Sequence, residues 1–436
     1  MNSAPHSRPR SSSAPPRRLL AALLLGFALW LGLIGLSPAS AQEADTASTS
    51  LTEALRANGY PLRLEDGALR GSGGEWLREQ AAQAPVVTLG ESHATKEIPA
   101  VMTALIRHLQ AADAFDHLAI EVSPWTTEQL TERLRDGTAA YDAFIEQHPA
   151  AIPFYNLKTE RDLLHQVVAE SDTAQPLWGL DQIFMFATDW ALDRLAALAP
   201  SAAARSAVEA VRAAGDPEAS EDPRLQKLPD TMPAPLSVYT PAAFDTLRTH
   251  FDGVDEAQRL LAELATSTEI YRLNDTDNYR SNQIRARYLR DNLRRPALEA
   301  IAASDDAPKI VVKVGGFHAF RGITPNHALD VGTLGVTLAR MMGGEALNVA
   351  IVCGPGSKNT QFPTGTGDCF RPLAQPFAAA MDDTPMLFDL TAIHPMLHDG
   401  TVSAEGPLAD LLWAFDAVVL IPNATPAEPI APPTGQ

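Results

Sequence analysis

Four apolar stretches of this chain each end on a side chain that can move a proton or hold a charge. The run Val86, Val87, Leu89 stops at Gly90 and is followed by Glu91 and His93. Leu118 to Val122 carries Glu121, PLWGLD ends at Asp181, and KIVVKVGG delivers His318 just past Gly315 and Gly316. Taken singly, each is matched by a capping carboxylate or a hydrogen-bonded core histidine. Four such placements at the ends of strands that share one sheet point to a shared site. A neutral imidazole oriented by a carboxylate deprotonates water, and a second imidazole protonates a leaving group or holds an oxyanion. The same residue types also bind one divalent metal, and the sequence does not separate the two chemistries. Upstream of the fourth strand, NYRSNQIRARYLRDNLRR places Arg280 and Arg287 seven apart on one helix face, where either would reach a carboxylate or a developing oxyanion. No G-x-S-x-G elbow surrounds Ser92, which reads as a turn residue. The glycines before His318 form no G-x-G-x-x-G, and DTDN at Asp275 lacks the rest of a calcium loop.

The elements that would position these groups alternate in type. After Gly90, apolar residues Ile98, Val101, Met102, Leu105, Ile106 and Leu109 recur with the period of a helix packed on a sheet. Further strands are read at ALNVAIVCG, PMLFDL and AVVLIP. The pattern predicts an α/β fold: a central, mainly parallel sheet with helices on both faces and a helical cap or insertion at about 126–269. LTEALRANGYPLRL is expected to form a helix and loop closing one edge. The region from Gly215 is rich in Pro and charge and reads as a surface loop, and the Pro-rich tail 423–436 as disordered. If Gly90 and Gly315 both end parallel strands, the loops after them open on one edge, with the two imidazoles within roughly 10 Å.

Composition bounds the function. The chain has 436 residues, with 34 Lys and Arg against 53 Asp and Glu and a formal charge of −19. A nucleic-acid partner is excluded by that balance, and a small-molecule substrate is expected. Residues 1–41 read as a secretory signal: four arginines, an apolar run from Leu19 to Leu36, and small residues ending at Ala41. An uncleaved anchor is the alternative, because the run reaches about 18 residues. Cleavage would leave a periplasmic or secreted protein with no membrane segment. The two cysteines, Cys353 and Cys369, lack the spacing of a zinc site and are expected to form a disulfide. Oligomeric state is not readable.

The two G-x-x-H motifs, GESH at Gly90 to His93 and GGFH at Gly315 to His318, resemble those of the superfamily that groups erythromycin esterases, ChaN-like haem-binding proteins and TIKI/TraB proteins. AIEVSPW, WGLDQ, NYRSNQIRARYL and FDAVVLIPNATP follow in the order of the esterase elements, and the likeness is greatest to that branch. For the esterase-like group the resemblance implies a hydrolase, here expected to be exported because of its signal segment, in which His93 activates water, Glu91 and Glu121 are acidic partners, His318 assists and Arg280 is the matching arginine, while Asp181 ends the stretch that matches the esterases' Gly-x-Asp strand. No cofactor is required on that reading. The other branches imply a divalent metal (a TIKI/TraB-like hydrolase or protease) or haem (a ChaN-like binding protein).

Overall fold

The computed structural model describes residues 51–215, 233–304, 306–361 and 365–431, all within one compact unit, Thr46–Gln436. The signal segment, most of the loop after Gly215 and the last five residues lie outside the described residues.

Twelve strands occur among the described residues: β1 (Gly59–Pro61), β2 (Arg63–Glu65), β3 (Ala68–Arg70), β4 (Val86–Glu91), β5 (His117–Ile120), β6 (Leu177–Gly179), β7 (Ile310–Gly315), β8 (Leu347–Cys353), β9 (Lys358–Gln361), β10 (Gly365–Asp368), β11 (Met386–Asp389) and β12 (Ala417–Ile421). Eight build one sheet in the order β1-β11-β12-β8-β4-β7-β5-β6. From β12 to β6 every pairing is parallel; β11 and β1 are added antiparallel at one edge. The α/β expectation holds, and the sequence pattern explains why. Strands β4 and β7 are buried along their whole length. Alternate residues enter two separate cores, Val87, Leu89, Leu118 and Val311 on one face and Val86, Ala119, Ile310 and Val312 on the other. The first face is covered by helices Glu97–Ala111, Pro124–Arg135 and Lys158–Ala169, and the second by Asn278–Ala303 and Val331–Met341.

The stretch 126–269 is helical on both sides of β6, which is the strand read at PLWGLD. Two details differ from the sequence reading. The first edge is closed by strand β1 and the β2–β3 hairpin after a helix over 51–57, not by a helix and loop alone. Finally, residues 423–431 are packed rather than disordered. Ala424 and Ala427 are buried, and Thr95 and Leu157 make isolated bridges to Pro426 and Pro429. Proline removes a donor, but the intervening residues still supply N–H groups: Ala427 donates to Ala94 and Ile430 to Asn156.

Candidate active site

Register brings the two motifs side by side. In β4 and β7, Gly90 lies opposite Val314 and Glu91 opposite Gly315, so both loops leave the same sheet edge. The chain crosses from one side of β4 to the other between β7 and β8, and ligands of open α/β sheets bind beyond the carboxyl ends of strands at such a point. Gly315 is required by space. A Cβ there would lie 2.8 Å from His93 Nε2 and 3.3 Å from Glu121 Oε2.

Glu121 is the centre of the arrangement. Its Oε2 lies 3.7 Å from His93 Nε2 and its Oε1 3.5 Å from His318 Nε2, so the two imidazoles flank opposite oxygens of one carboxylate. The outer nitrogen of each ring is held by a second carboxylate, His93 Nδ1 by Glu91 at 2.8 Å and His318 Nδ1 by Asp330 at 2.7 Å. A carboxylate on Nδ1 fixes the proton there and leaves Nε2 of each neutral ring as a base directed at the shared space. Glu121 is fixed in turn: Gly315 N–H donates to Oε2 at 2.5 Å and Arg285 to Oε1 at 2.9 Å. Arg285 also makes a two-pronged contact with Asp181, at 3.0 and 2.6 Å.

Behind His93 the charges continue inward. Lys313, on β7, donates to Glu91 at 2.6 Å and to Glu160 at 3.1 Å, and all three side chains are 1% exposed. The His93 side chain, by contrast, is 20% exposed and that of His318 8%. Ser92 is structural: its Oγ accepts from Cys353 N–H at 3.3 Å.

The titration behaviour follows from these contacts. Burial opposes the charged form of His93, but the hydrogen bond and charge of Glu91, with Glu121, outweigh it and raise its pKa. His318 is likewise raised, burial being overcome by Asp330 and Glu121 against the opposing Arg285. Burial opposes ionisation of Glu121, yet His318, His93 and Arg285 bring its carboxyl down to about 2. Glu160 goes the other way: burial, only partly offset by Lys313, raises it to about 7.

Sequence reasoning placed Glu91, His93, Glu121, Asp181 and His318, and the structure brings all five together. Arg280 does not join them. Its side chain is 61% exposed and reaches Glu269 at 3.4 Å, because it lies in the first turn of the helix, before the segment that crosses the sheet edge. Arg285, five residues on, is the arginine of the site. Lys313, Glu160 and Asp330 were also missed. A lysine inside a fully buried strand was the available signal, since it requires a buried counter-ion. Asp330 had one too, the N-cap position before VGTLGV, where it accepts from Val331 N–H.

The loop bearing His93 is braced from outside the sheet. Asn359 donates to the His93 carbonyl, and Thr360 N–H and Ala427 N–H both donate to that of Ala94. Asn359 and Thr360 belong to β9 of the β9–β10 hairpin, and Cys353 at the end of β8 is bridged to Cys369 as expected. A chelated divalent metal does not fit the side chains as they stand. Glu121 and Asp181 are neutralised by Arg285 and Glu91 by Lys313. Among the described residues no three His, Cys, Asp or Glu side chains converge on a point that a metal would occupy.

The architecture is that of an α/β protein with a paired-histidine site at the carboxyl edge of its sheet, and solved structures with this fold are known. A mutant of the erythromycin esterase EreC in its open conformation aligns over 84% of this chain and 98% of its own, at TM-score 0.53 and 17% identity. A succinoglycan biosynthesis protein aligns over 88% and 99%, at TM-score 0.55 and 14% identity. A Bacillus cereus protein covers the same shares at TM-score 0.53 and 15% identity. The chain thus has the erythromycin esterase-like fold anticipated from its motifs. The haem-binding ChaN of Campylobacter jejuni aligns at TM-score 0.32, too low to establish a common fold. No family model matches the sequence, and no curated protein does.

Proposed function

We propose that this chain is an exported hydrolase that cleaves an ester or lactone by attack of water activated on His93. The observation that carries the reading is the placement of Glu121 between two imidazoles, each locked on its far nitrogen by its own carboxylate. His93, the more exposed ring, takes a proton from water on Nε2 as the water oxygen bonds the carbonyl carbon. Protonated His318 then holds the oxyanion, with Arg285 fixing the carboxylate that keeps both rings in place. Collapse of the tetrahedral adduct breaks the bond to the leaving oxygen, which takes the proton from His93. The 3.5 and 3.7 Å separations from Glu121 are too long for direct hydrogen bonds and leave the Nε2 atoms available to water and substrate.

The fold shared with EreC supports this reading, and the disulfide supports export, since such bridges persist in oxidising compartments. Among the described residues no helix is long and apolar enough to cross a membrane. The test is hydrolysis of a panel of esters and lactones by the purified protein and by His93→Gln, with and without a chelator, alongside haem titration followed by absorption. Hydrolysis that survives chelation and is lost in the variant supports the proposal. Activity abolished by the chelator would favour a metal-dependent hydrolase, and a tight haem spectrum without hydrolysis would favour a binding protein.

A further inference from the structure

His93 has a neighbour that the acid–base scheme does not use. The ring of Phe154 stacks on the imidazole with centroids 4.1 Å apart and planes 12° from parallel. Phe154 comes from the segment between helices Thr138–Gln147 and Lys158–Ala169, and its backbone is in an unusual state. Its φ is +67°, and Tyr155 N–H donates to the Pro153 carbonyl at 2.8 Å. A three-residue turn closed around a positive-φ residue is rare and strained, and most of all for a bulky side chain.

Such strain persists only where the surroundings over-determine it. Here they do. Tyr141 Oη donates to the Tyr155 carbonyl at 2.6 Å in a buried contact, and Asn156 Nδ2 to Pro149 at 3.2 Å. Ile430 N–H, in the packed tail, donates to the Asn156 carbonyl at 3.0 Å. The residue after Phe154 is committed to the same charge chain, since the Tyr155 ring lies over the Lys313 ammonium, 4.8 Å from nitrogen to centroid. Two consecutive aromatic residues therefore cover the two ends of the Lys313–Glu91–His93 chain. An unstrained turn at 154 would carry the phenyl ring away from the imidazole.

We propose that Phe154 is a positioning residue for His93: the strained turn presses its ring on one imidazole face, fixing the ring plane and excluding water there, so that His93 Nε2 is presented to the Glu121 side alone. The proposal rests on His93 being the base only for its effect on rate; its effect on the imidazole stands by itself. Aromatic stacking of this kind also makes Phe154 a wall of the space beside His93, restricting substrate to the remaining open side.

The imidazole can be observed directly by proton NMR of the full chain. The His93 Cε1–H resonance is assigned by its loss in His93→Gln, then titrated in the wild type, Phe154→Leu, Phe154→Asn and Phe154→Tyr, with circular dichroism as the check on folding. Asparagine accepts positive φ and carries no ring, so it serves if leucine at this position does not fold. The expected result is a downfield move of the resonance and an upward shift of its titration in Leu and Asn, as the burial opposing the imidazolium is relieved, with Tyr close to wild type. If hydrolysis is found, kcat should fall roughly tenfold or more in Leu and Asn with KM little changed, and recover in Tyr. An unchanged resonance and titration in folded Phe154→Leu or Phe154→Asn overturns the proposal. Altered titration in a protein that hydrolyses nothing leaves the positioning role standing and removes the hydrolase reading instead.

Discussion

Replacing Lys313 by Met examines the inner half of the site, because the substitution removes one ammonium and leaves two carboxylates behind. Lys313, Glu91 and Glu160 are each 1% exposed, and Glu91 Oε2 has no hydrogen-bond partner among the described residues. Removing one partner of a buried ion pair typically destabilises by about 3–5 kcal/mol, because the remaining charge is left uncompensated. Against a total stability of about 5–15 kcal/mol, that is a large fraction. Glu91 is the stranded charge at neutral pH, while Glu160, already raised to about 7 beside Lys313, rises further without it and adds its cost as pH increases. The loss should shrink on acidification, since a buried carboxyl without its cation has a raised pKa and regains stability by binding a proton as pH falls. Adding Glu160→Gln to Lys313→Met should return part of the loss at pH 8, because the cost of Glu160 is gone. Urea unfolding of the wild type, both single variants and the double variant at pH 5 and pH 8 measures all four terms. A Lys313→Met protein within 1 kcal/mol of wild type at pH 8, or additive single effects, would refute the buried-triad reasoning.

Other outcomes follow from the same geometry. Gly315→Ala should fold but lose hydrolysis by at least about a hundredfold, because its Cβ would enter the space 2.8 Å from His93 Nε2; activity assays with circular dichroism check it. Arg285→Ala should cut the rate strongly and destabilise by about 3 kcal/mol through the stranded Glu121 and Asp181, whereas Arg280→Ala should leave both within measurement error. The acid side of the stability curve should carry the signature of Glu121. Its folded pKa is lowered to about 2 from the ordinary 4.5, so its contribution is present above pH 4.5 and is lost as pH falls towards 2, readable from urea midpoints across that window. Glu160 has the opposite sign: raised to about 7, it contributes most below pH 4.5, and that contribution is lost as pH rises through 7.

The strands and the residues at their ends were legible because both depend on local pattern. Val86 to Glu91 and Ile310 to Gly315 are continuous β-rich runs ended by glycine, and parallel strands must open their following loops on one edge. The arginine was misplaced because helical periodicity fixes relative faces, not which turn of the helix passes the sheet edge. Arg280 and Arg285 differ by more than one turn, and only tertiary packing selects between them. Glu160 comes from a helix far in sequence from either motif, so only the buried Lys313 hinted at it; Asp330 lies 12 residues past His318 and was marked only by its cap position. Phe154 left no trace in the sequence, since a strained turn is set by what clamps it. The tail was misread because Pro-rich composition says which donors are missing and not whether the remaining ones find partners, as Ala427 and Ile430 do.

The central claim is that His93 and His318 form one acid–base unit around Glu121. It is tested most directly by the rate of ester or lactone hydrolysis in the wild type, His93→Gln, His318→Gln and the double variant. Groups acting as a unit are strongly non-additive on removal. The account therefore expects each single variant to lose about a hundredfold or more, and the double variant to be scarcely worse than the more damaged single one. Losses that multiply in the double variant, or a His318→Gln protein as active as the wild type, would contradict it.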